Sequence, residues 1–322
     1  MTACKRISVI GCGRWGSLIA WYLDRLGHRV TLYGRESSAS FCRLSAERKN
    51  DFLTLPETVN LTSSTKEAMD GDVIIISVGS QQLRGLMEEL SPIPPSHRIF
   101  VLCMKGIEIS TGKRLSQVVE EFRTEPIAVW LGPGHVQDLY RGQPNCMVID
   151  SIDSAVTDTL ISSFSGDLIR FYYGSDMIGN EIGAAAKNVI GIAAGMLDGE
   201  GLSSLKGALM SRGTTEISRL IAAMGGNERS AYGLCHLGDY EATLFSPHSH
   251  NRRFGECFIK GETFSRLAEG YYTVDALVSL GNAYDVELPI CNAVYRLLYL
   301  NADPKIELNA LFSRLQKPEF NK

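Results

Sequence analysis

The chain has 322 residues, 44% hydrophobic and 21% charged, with a formal net charge of −4. That length and apolar content fill two cores rather than one, the charge balance excludes the basic face of a nucleic-acid binder, and no apolar run reaches the ~18 residues of a membrane span. Cysteines at 4, 12, 42, 103, 146, 235, 257 and 291 form no C-x-x-C pair and no zinc-like spacing with histidine, so no metal is expected, and a reducing, cytoplasmic compartment fits so many thiols.

No cleavable secretory signal is expected, because Met1–Arg6 leads straight into Ile7–Ile10, a short run stopped by Gly11. Ile7–Ile10 reads as a strand. Trp15–Leu26 has helical spacing, with Leu18, Ile19, Tyr22, Leu23 and Leu26 on one face and Gly27 to close it. Arg29–Tyr33 is a second strand. Gly11, Gly13 and Gly16 fall between the first strand and the helix as G-x-G-x-x-G. In that setting the first glycine makes the turn, the second admits a pyrophosphate to the backbone, and the third lets helix and strand approach. The helix N-terminus adds N–H donors and a positive dipole. A dinucleotide site is therefore expected here. After the second strand, Arg35 favours the 2′-phosphate of NADPH and Glu36 favours the ribose hydroxyl of NADH, with the balance leaning to NADPH.

Asp72–Val78, Arg98–Met104 and Ile127–Leu131 are near-continuous apolar runs, as strands covered on both faces should be. Runs at Cys146–Ile149 and Leu168–Tyr173 extend the same sheet. Helical or loop segments separate them, which predicts an α/β fold with a doubly wound, mostly parallel Rossmann-type sheet. Ligands in such sheets lie beyond the carboxyl ends of the strands. Lys105 sits at one such end, where a ligand-facing lysine and a solvated one are equal readings.

From about Ser175 strands disappear, so a dinucleotide-binding domain (1–175) is expected to precede an all-helical substrate and catalytic domain (176–322). Asn180–Leu197 carries an apolar stripe of Ile182, Ala186, Val189, Ala193 and Met196, with Lys187 beside it and Gly183 and Gly191 four residues to either side. Each glycine costs a helix about 1 kcal/mol relative to alanine. Either another backbone packs closely there or a ligand lies over Lys187. His236–Tyr240 and Ser246–Gly255 read as loops, the second rich in anion-binding side chains. Thr263 to about Leu315 reads as amphipathic helices broken at Pro289, and the polar Gln316–Lys322 is expected to fray.

Nine segments in order carry a resemblance over residues 6 to 316: GCGRWGS (11–17), CMKGIE (103–108), GPGHVQD (132–138), AAKNVIGIAAG (185–195), MSRGTTEISRL (210–220), HLGDYEAT (236–243), SHNRRFG (249–255), AEGYYT (268–273) and VELPICNAVYRLLY (286–299). Together they resemble the soluble NAD(P)-dependent glycerol-3-phosphate dehydrogenases. The resemblance implies reversible hydride transfer between NAD(P)H and dihydroxyacetone phosphate, giving sn-glycerol 3-phosphate for glycerophospholipid metabolism. It assigns Lys187 as the catalytic lysine and Asp239 as its aspartate. It places Lys105, Gly132, Gly134, Ser249 and Asn251 on the substrate. Gly11, Gly13, Arg14, Trp15, Gly16, Arg35, Lys105, Val136, His250 and Glu269 fall on the cofactor. It also implies a homodimer taking a small phosphorylated substrate, with no nucleic acid and no membrane span.

The chain departs from the family pattern at four places. Ser249-His250-Asn251 stands for Ser-Arg-Asn, and His250 is expected to replace the arginine in part, chiefly when protonated, with Arg252 as another candidate. His236 stands for a glycine. Gly134 stands for a serine, and Gly79 for a proline; both are expected to loosen loops around the pocket. Two other readings stand beside the main one: a related two-domain dehydrogenase for another hydroxy acid or hydroxy-phosphate, and a non-catalytic dinucleotide sensor.

Overall fold

The computed structural model describes residues 4–314, so the polar tail Gln316–Lys322 lies outside the described residues. In chain order the first half runs β1 (Arg6–Ile10), α1 (Arg14–Arg25), β2 (Arg29–Tyr33), α2 (Ala39–Glu47), β3 (Asn60–Thr62), α3 (Thr65–Ala68), β4 (Val73–Ile76) and α4 (Leu83–Leu90). It continues with β5 (Ile99–Leu102), α5 (Leu115–Glu120), β6 (Ile127–Leu131), α6 (Val136–Tyr140), β7 (Asn145–Ser151), α7 (Ser154–Phe164) and β8 (Ile169–Tyr173).

The eight strands form one sheet in the order β3-β2-β1-β4-β5-β6-β7-β8. All neighbours are parallel except β6 and β7. Successive side chains on a strand face opposite ways. Accordingly Val73 and Ile75 of β4 join a core that includes α1 and α7, while Ile74 and Ile76 join one that includes α4 and α5. Strand order reverses at β1, with β2 and β3 on one side and β4 onward on the other. That switch opens a crevice beyond the carboxyl ends of β1 and β4.

Strands β4 and β5 are shorter than the apolar runs that predicted them, because Val78, Cys103 and Met104 are apolar for packing in the strand-end loops rather than for pairing. Three-residue β3 left no pattern to find, and the antiparallel β7 was not foreseen.

Among the described residues no strand follows Tyr173. The chain proceeds as α8 (Met177–Gly199), α9 (Lys206–Ala223), α10 (His250–Lys260), α11 (Glu269–Ala283), α12 (Pro289–Leu300) and α13 (Pro304–Phe312). Helix α8 is buried on nearly every side, as its apolar composition requires. Asp176 caps its first turn by accepting from the Gly179 N–H at 3.1 Å. Pro289 opens α12, where a missing N–H costs nothing.

Protein packs closely over the glycines of α8, side chains over Gly183 and Gly191 and the backbone of another helix over Gly195. A β-carbon on Gly195 would collide with the Arg252 carbonyl oxygen of α10, and one on Gly255 of α10 would collide with the Ile192 carbonyl of α8. The two helices thus cross backbone to backbone. At Gly191 a β-carbon would lie 2.7 Å from Thr243 Cγ2, and at Gly183 it would lie 3.0 Å from His236 Cβ.

Ser246–Gly255 is not a loop throughout. Ser249 is the N-cap of α10, its side chain accepting from the Arg252 N–H at 3.3 Å, so its second half is helix. The polar residues that suggested a loop are its cap and first turn. Likewise His236–Tyr240 contains the tight 3₁₀ turn Leu237–Asp239, which runs into a π-helical turn at Glu241–Phe245.

Candidate active site

The glycine turn lies in the crevice between β1 and β4. Gly11 has φ +113°, and a β-carbon there would strike the Ser77 carbonyl oxygen after β4. A β-carbon on Gly16 would strike the Gly11 carbonyl, so no larger residue fits where α1 meets the turn. Gly13 is exposed with nothing within 4 Å of where its β-carbon would be. The first and third glycines are thus needed by the fold, while the second leaves open space for a pyrophosphate before the N-terminus of α1. The residues fit a dinucleotide there.

Arg14 and Trp15 open α1, with the Trp15 ring 3.5 Å from where a β-carbon on Gly134 would lie. Gly132 and Gly134 follow β6 with φ of +126° and +153°, a path serine would not readily take. Val136 buries its side chain in a core and leaves only its backbone to a ligand. Gly79, in contrast, has φ −62°, the angle a proline would impose.

Three charged side chains from three parts of the chain meet at one atom. Lys105, after β5, puts Nζ 2.6 Å from Asp239 Oδ2 and donates to the Gly132 carbonyl at 2.6 Å. Lys187 of α8 puts Nζ 2.7 Å from the same Oδ2 and donates to Thr243 Oγ1 at 2.8 Å. The Thr243 hydroxyl donates in turn to the Asp239 carbonyl at 2.7 Å. Asp239 is 1% exposed and Lys187 7%, so these charges interact with little water to screen them.

Burial pulls the Lys187 pKa down to about 8; the Asp239 carboxylate opposes that and the Lys105 ammonium adds to it. An ammonium has three N–H groups. Asp239 and Thr243 take two, which leaves Lys187 one proton with no acceptor among the described residues.

A second network fixes the surroundings. Asn188, next to Lys187, donates to the Lys105 carbonyl at 3.1 Å. Asn251 of α10 donates to Asn188 Oδ1 at 3.0 Å and accepts from the Gly270 N–H at 2.9 Å. Glu269, at the start of α11, accepts from the Ser80 hydroxyl at 2.6 Å, which brings α11 against the loop after β4. Ser249 spends its oxygen on the cap but keeps a hydroxyl hydrogen to donate.

His250 sits between a backbone carbonyl and an arginine. Its Nδ1 lies 3.2 Å from the Leu267 carbonyl, an acceptor only, so Nδ1 carries the hydrogen and Nε2 accepts from Arg14 Nη1 at 3.3 Å. A ring whose Nε2 accepts from a guanidinium is neutral, and burial and the Arg14 charge both push its pKa down. Arg252 does not reach in either, because Asp198 holds it at 2.7 Å. His236 is fully buried over Gly183, its Nδ1 2.8 Å from the Gly183 carbonyl and its Nε2 2.7 Å from the Tyr240 hydroxyl, with a pKa pushed down to about 4 by burial.

After β2, Arg35 is exposed and has no ion-pair partner among the described residues, while the Glu36 carboxylate accepts from the Ser63 hydroxyl at 2.9 Å. Sequence reasoning singled out neither Thr243 nor Asn188, although both stand inside quoted segments beside chosen residues. It also passed over His135, which follows Gly134. His135 Nε2 is buried without a partner, its ring lies 5.8 Å from that of His248, and it feels the charges of both Asp239 and Lys187.

Known proteins resemble this chain along nearly its whole length. The family model for the NAD-dependent glycerol-3-phosphate dehydrogenase N-terminus matches residues 6–157, and that for its C-terminus matches 176–309. An NAD(P)+ glycerol-3-phosphate dehydrogenase of Thermoanaerobacter sp. is 32% identical over 327 residues, spanning 98% of this chain and 99% of the relative. The crystal structure of a glycerol-3-phosphate dehydrogenase from Coxiella burnetii superimposes with a TM-score of 0.90 at 29% identity, covering 97% of this chain and 99% of that one. A D-mandelate dehydrogenase with NADH shares the fold alone, with a TM-score of 0.65 at 16% identity over 96% of this chain and all of its own.

Proposed function

The chain belongs to the NAD-dependent glycerol-3-phosphate dehydrogenase family, and from that premise we propose that it catalyses reversible hydride transfer between NAD(P)H and dihydroxyacetone phosphate, giving sn-glycerol 3-phosphate. The observation that carries this reading is the single Asp239 oxygen shared by Lys105 and Lys187, set beside a dinucleotide turn.

Gly11, Gly13, Gly16, Arg14 and Trp15 would hold the dinucleotide, with Arg35, Val136, His250 and Glu269 around it. The chemistry a bound NAD(P)H supplies is a hydride. In reduction, Lys187 gives its free proton to the substrate oxygen at C2 as that oxygen gains negative charge. This is general acid catalysis joined to electrostatic stabilisation by a buried cation. Asp239 and Thr243 aim the ammonium, and its pKa of about 8 lets it trade protons near neutrality. Lys105 brings a second positive charge to the substrate side of the site. Gly132, Gly134, Ser249 and Asn251 complete the substrate pocket.

Arg35, free of any carboxylate among the described residues, favours NADPH over NADH, since Glu36 is engaged by Ser63. We propose the boundary between the two domains at 175/176. By resemblance to its family the enzyme works as a homodimer feeding glycerophospholipid metabolism, and its eight free cysteines suit the cytoplasm.

The test is a spectrophotometric assay of the purified protein with dihydroxyacetone phosphate, run with NADH and with NADPH. Turnover with either cofactor is expected, faster with NADPH. Tight cofactor binding with no turnover would overturn the reading and favour a dinucleotide sensor.

A further inference from the structure

Beside the glycine turn lies a cleft of about 400 Å³ walled by Arg14, Phe52, His250, Phe264 and Arg266, among others. Two of its cations, Arg14 and Arg266, have no counter-ion among the described residues. Arg14 sits partly buried with its guanidinium 4.8 Å over the Phe52 ring, and its only hydrogen-bond partner among the described residues is the neutral His250. Arg266, on the segment leading to α11, has no hydrogen bond or ion pair among the described residues. The two arginines repel, and burial together with that repulsion lowers the Arg14 pKa. Other arginines on the same cleft are neutralised: Arg252 by Asp198 at 2.7 Å, and Arg253 by Glu256 at 3.3 Å.

A fold that pairs its neighbouring arginines yet leaves two like charges facing each other invites an anion between them. Placement says which. Arg14 directly follows Gly13, the one glycine of the turn with open space before it. His250, held by the Leu267 carbonyl, presents an acceptor to Arg14 and so fixes where its guanidinium points.

We propose that Arg14 and Arg266 form a clamp that closes on a phosphoryl group, with His250 as the residue that positions Arg14. Arg14 then supplies, from α1, the charge that the segment Ser249-His250-Asn251 does not carry. A planar guanidinium donates two parallel N–H bonds to phosphoryl oxygens, a geometry lysine cannot match. The source of that phosphoryl group, cofactor pyrophosphate or substrate phosphate, rests on the dehydrogenase reading; the clamp itself does not.

The experiment is calorimetric titration of the whole protein at low ionic strength with inorganic pyrophosphate, NADH and sn-glycerol 3-phosphate. It compares the wild type with Arg14→Met and Arg266→Met, which keep an apolar stem of similar length. Each variant is expected to weaken pyrophosphate binding about ten- to a hundredfold, the weight of one charge-assisted hydrogen bond. A loss confined to NADH places the cofactor in the clamp; a loss confined to glycerol 3-phosphate places the substrate there. No measurable pyrophosphate binding by the wild type, or a change below about twofold in both variants with unaltered Tm, overturns the proposal; should Arg14→Met fail to fold, the exposed Arg266 carries the test. Arginine-dependent pyrophosphate binding in a protein that does not turn over dihydroxyacetone phosphate would sink the dehydrogenase reading and leave the clamp standing. Normal turnover with pyrophosphate binding indifferent to both arginines would do the reverse.

Discussion

Lys105 and Lys187 approach from the sheet and from the longest helix to share one oxygen of Asp239, at 2.6 and 2.7 Å. One buried carboxylate therefore offsets two cations, buried Lys187 and half-buried Lys105, and the Lys187 ammonium is held less firmly than a one-to-one pair would hold it. In the proposed mechanism protonated Lys187 is the reactive form in reduction. The reductive rate is thus flat at low pH and falls as pH rises through about 8, while the oxidative rate rises over the same range. Asp239→Asn removes the group that raises the Lys187 pKa, so the falling limb moves to lower pH. Rate profiles of kcat/KM for both proteins check this; an unmoved limb means another group titrates.

Lys187→Met removes the proton donor and a buried charge while keeping bulk. Turnover is expected to fall about 10²- to 10⁴-fold, the usual weight of a general acid. Binding of the reduced cofactor, followed by fluorescence, should change little, because the residue lies on α8 rather than on the glycine turn. Retained turnover would remove Lys187 from the chemistry.

Arg35→Ala tests the cofactor lean. If Arg35 meets the 2′-phosphate, the KM for NADPH rises several-fold to about tenfold, the low end for a charged hydrogen bond because the site is exposed. The KM for NADH should hold. Equal changes for both cofactors would place Arg35 elsewhere.

Gly79→Pro addresses the loop after β4. The backbone there already has φ −62°, and its nearest neighbours to a new β-carbon are Gln82 atoms at 3.7 Å and beyond. Proline then restricts only the unfolded chain, a gain of about 0.4–1 kcal/mol. A rise in Tm of roughly 1–3 °C is expected by calorimetry. A fall would mean that the preceding residue cannot take the conformation proline demands.

What the sequence made legible was local. Strand, turn, helix and strand at 6–33 follow each other closely enough for spacing to reveal them, and Gly11, Gly13 and Gly16 do what that spacing implies. The charge cluster was not local. Lys105, Lys187, Asp239 and Thr243 are separated by up to 138 residues, and periodicity says nothing about which strand end meets which helix. Lys187 and Asp239 were singled out through resemblance, whereas Thr243, Asn188 and His135 were passed over because a polar residue near a chosen one looks like any other. The setting of His250 was out of reach because it depends on Arg14, 236 residues away. The start of α10 was read as a loop because a helix cap and its first turn have a loop's composition.

The crossing of α8 and α10 reverses a common rule for protein engineers. Alanine for glycine inside a helix is ordinarily worth about 1 kcal/mol in the variant's favour. At Gly195 and Gly255 the added methyl would meet a carbonyl of the other helix, so the same exchange forces the two axes apart. Asn251 rides on one axis and Lys187 on the other. A library scored only by helix propensity would therefore enrich replacements that pull Asn251 and Lys187 out of register, and this seam is best left untouched in any thermostabilisation campaign.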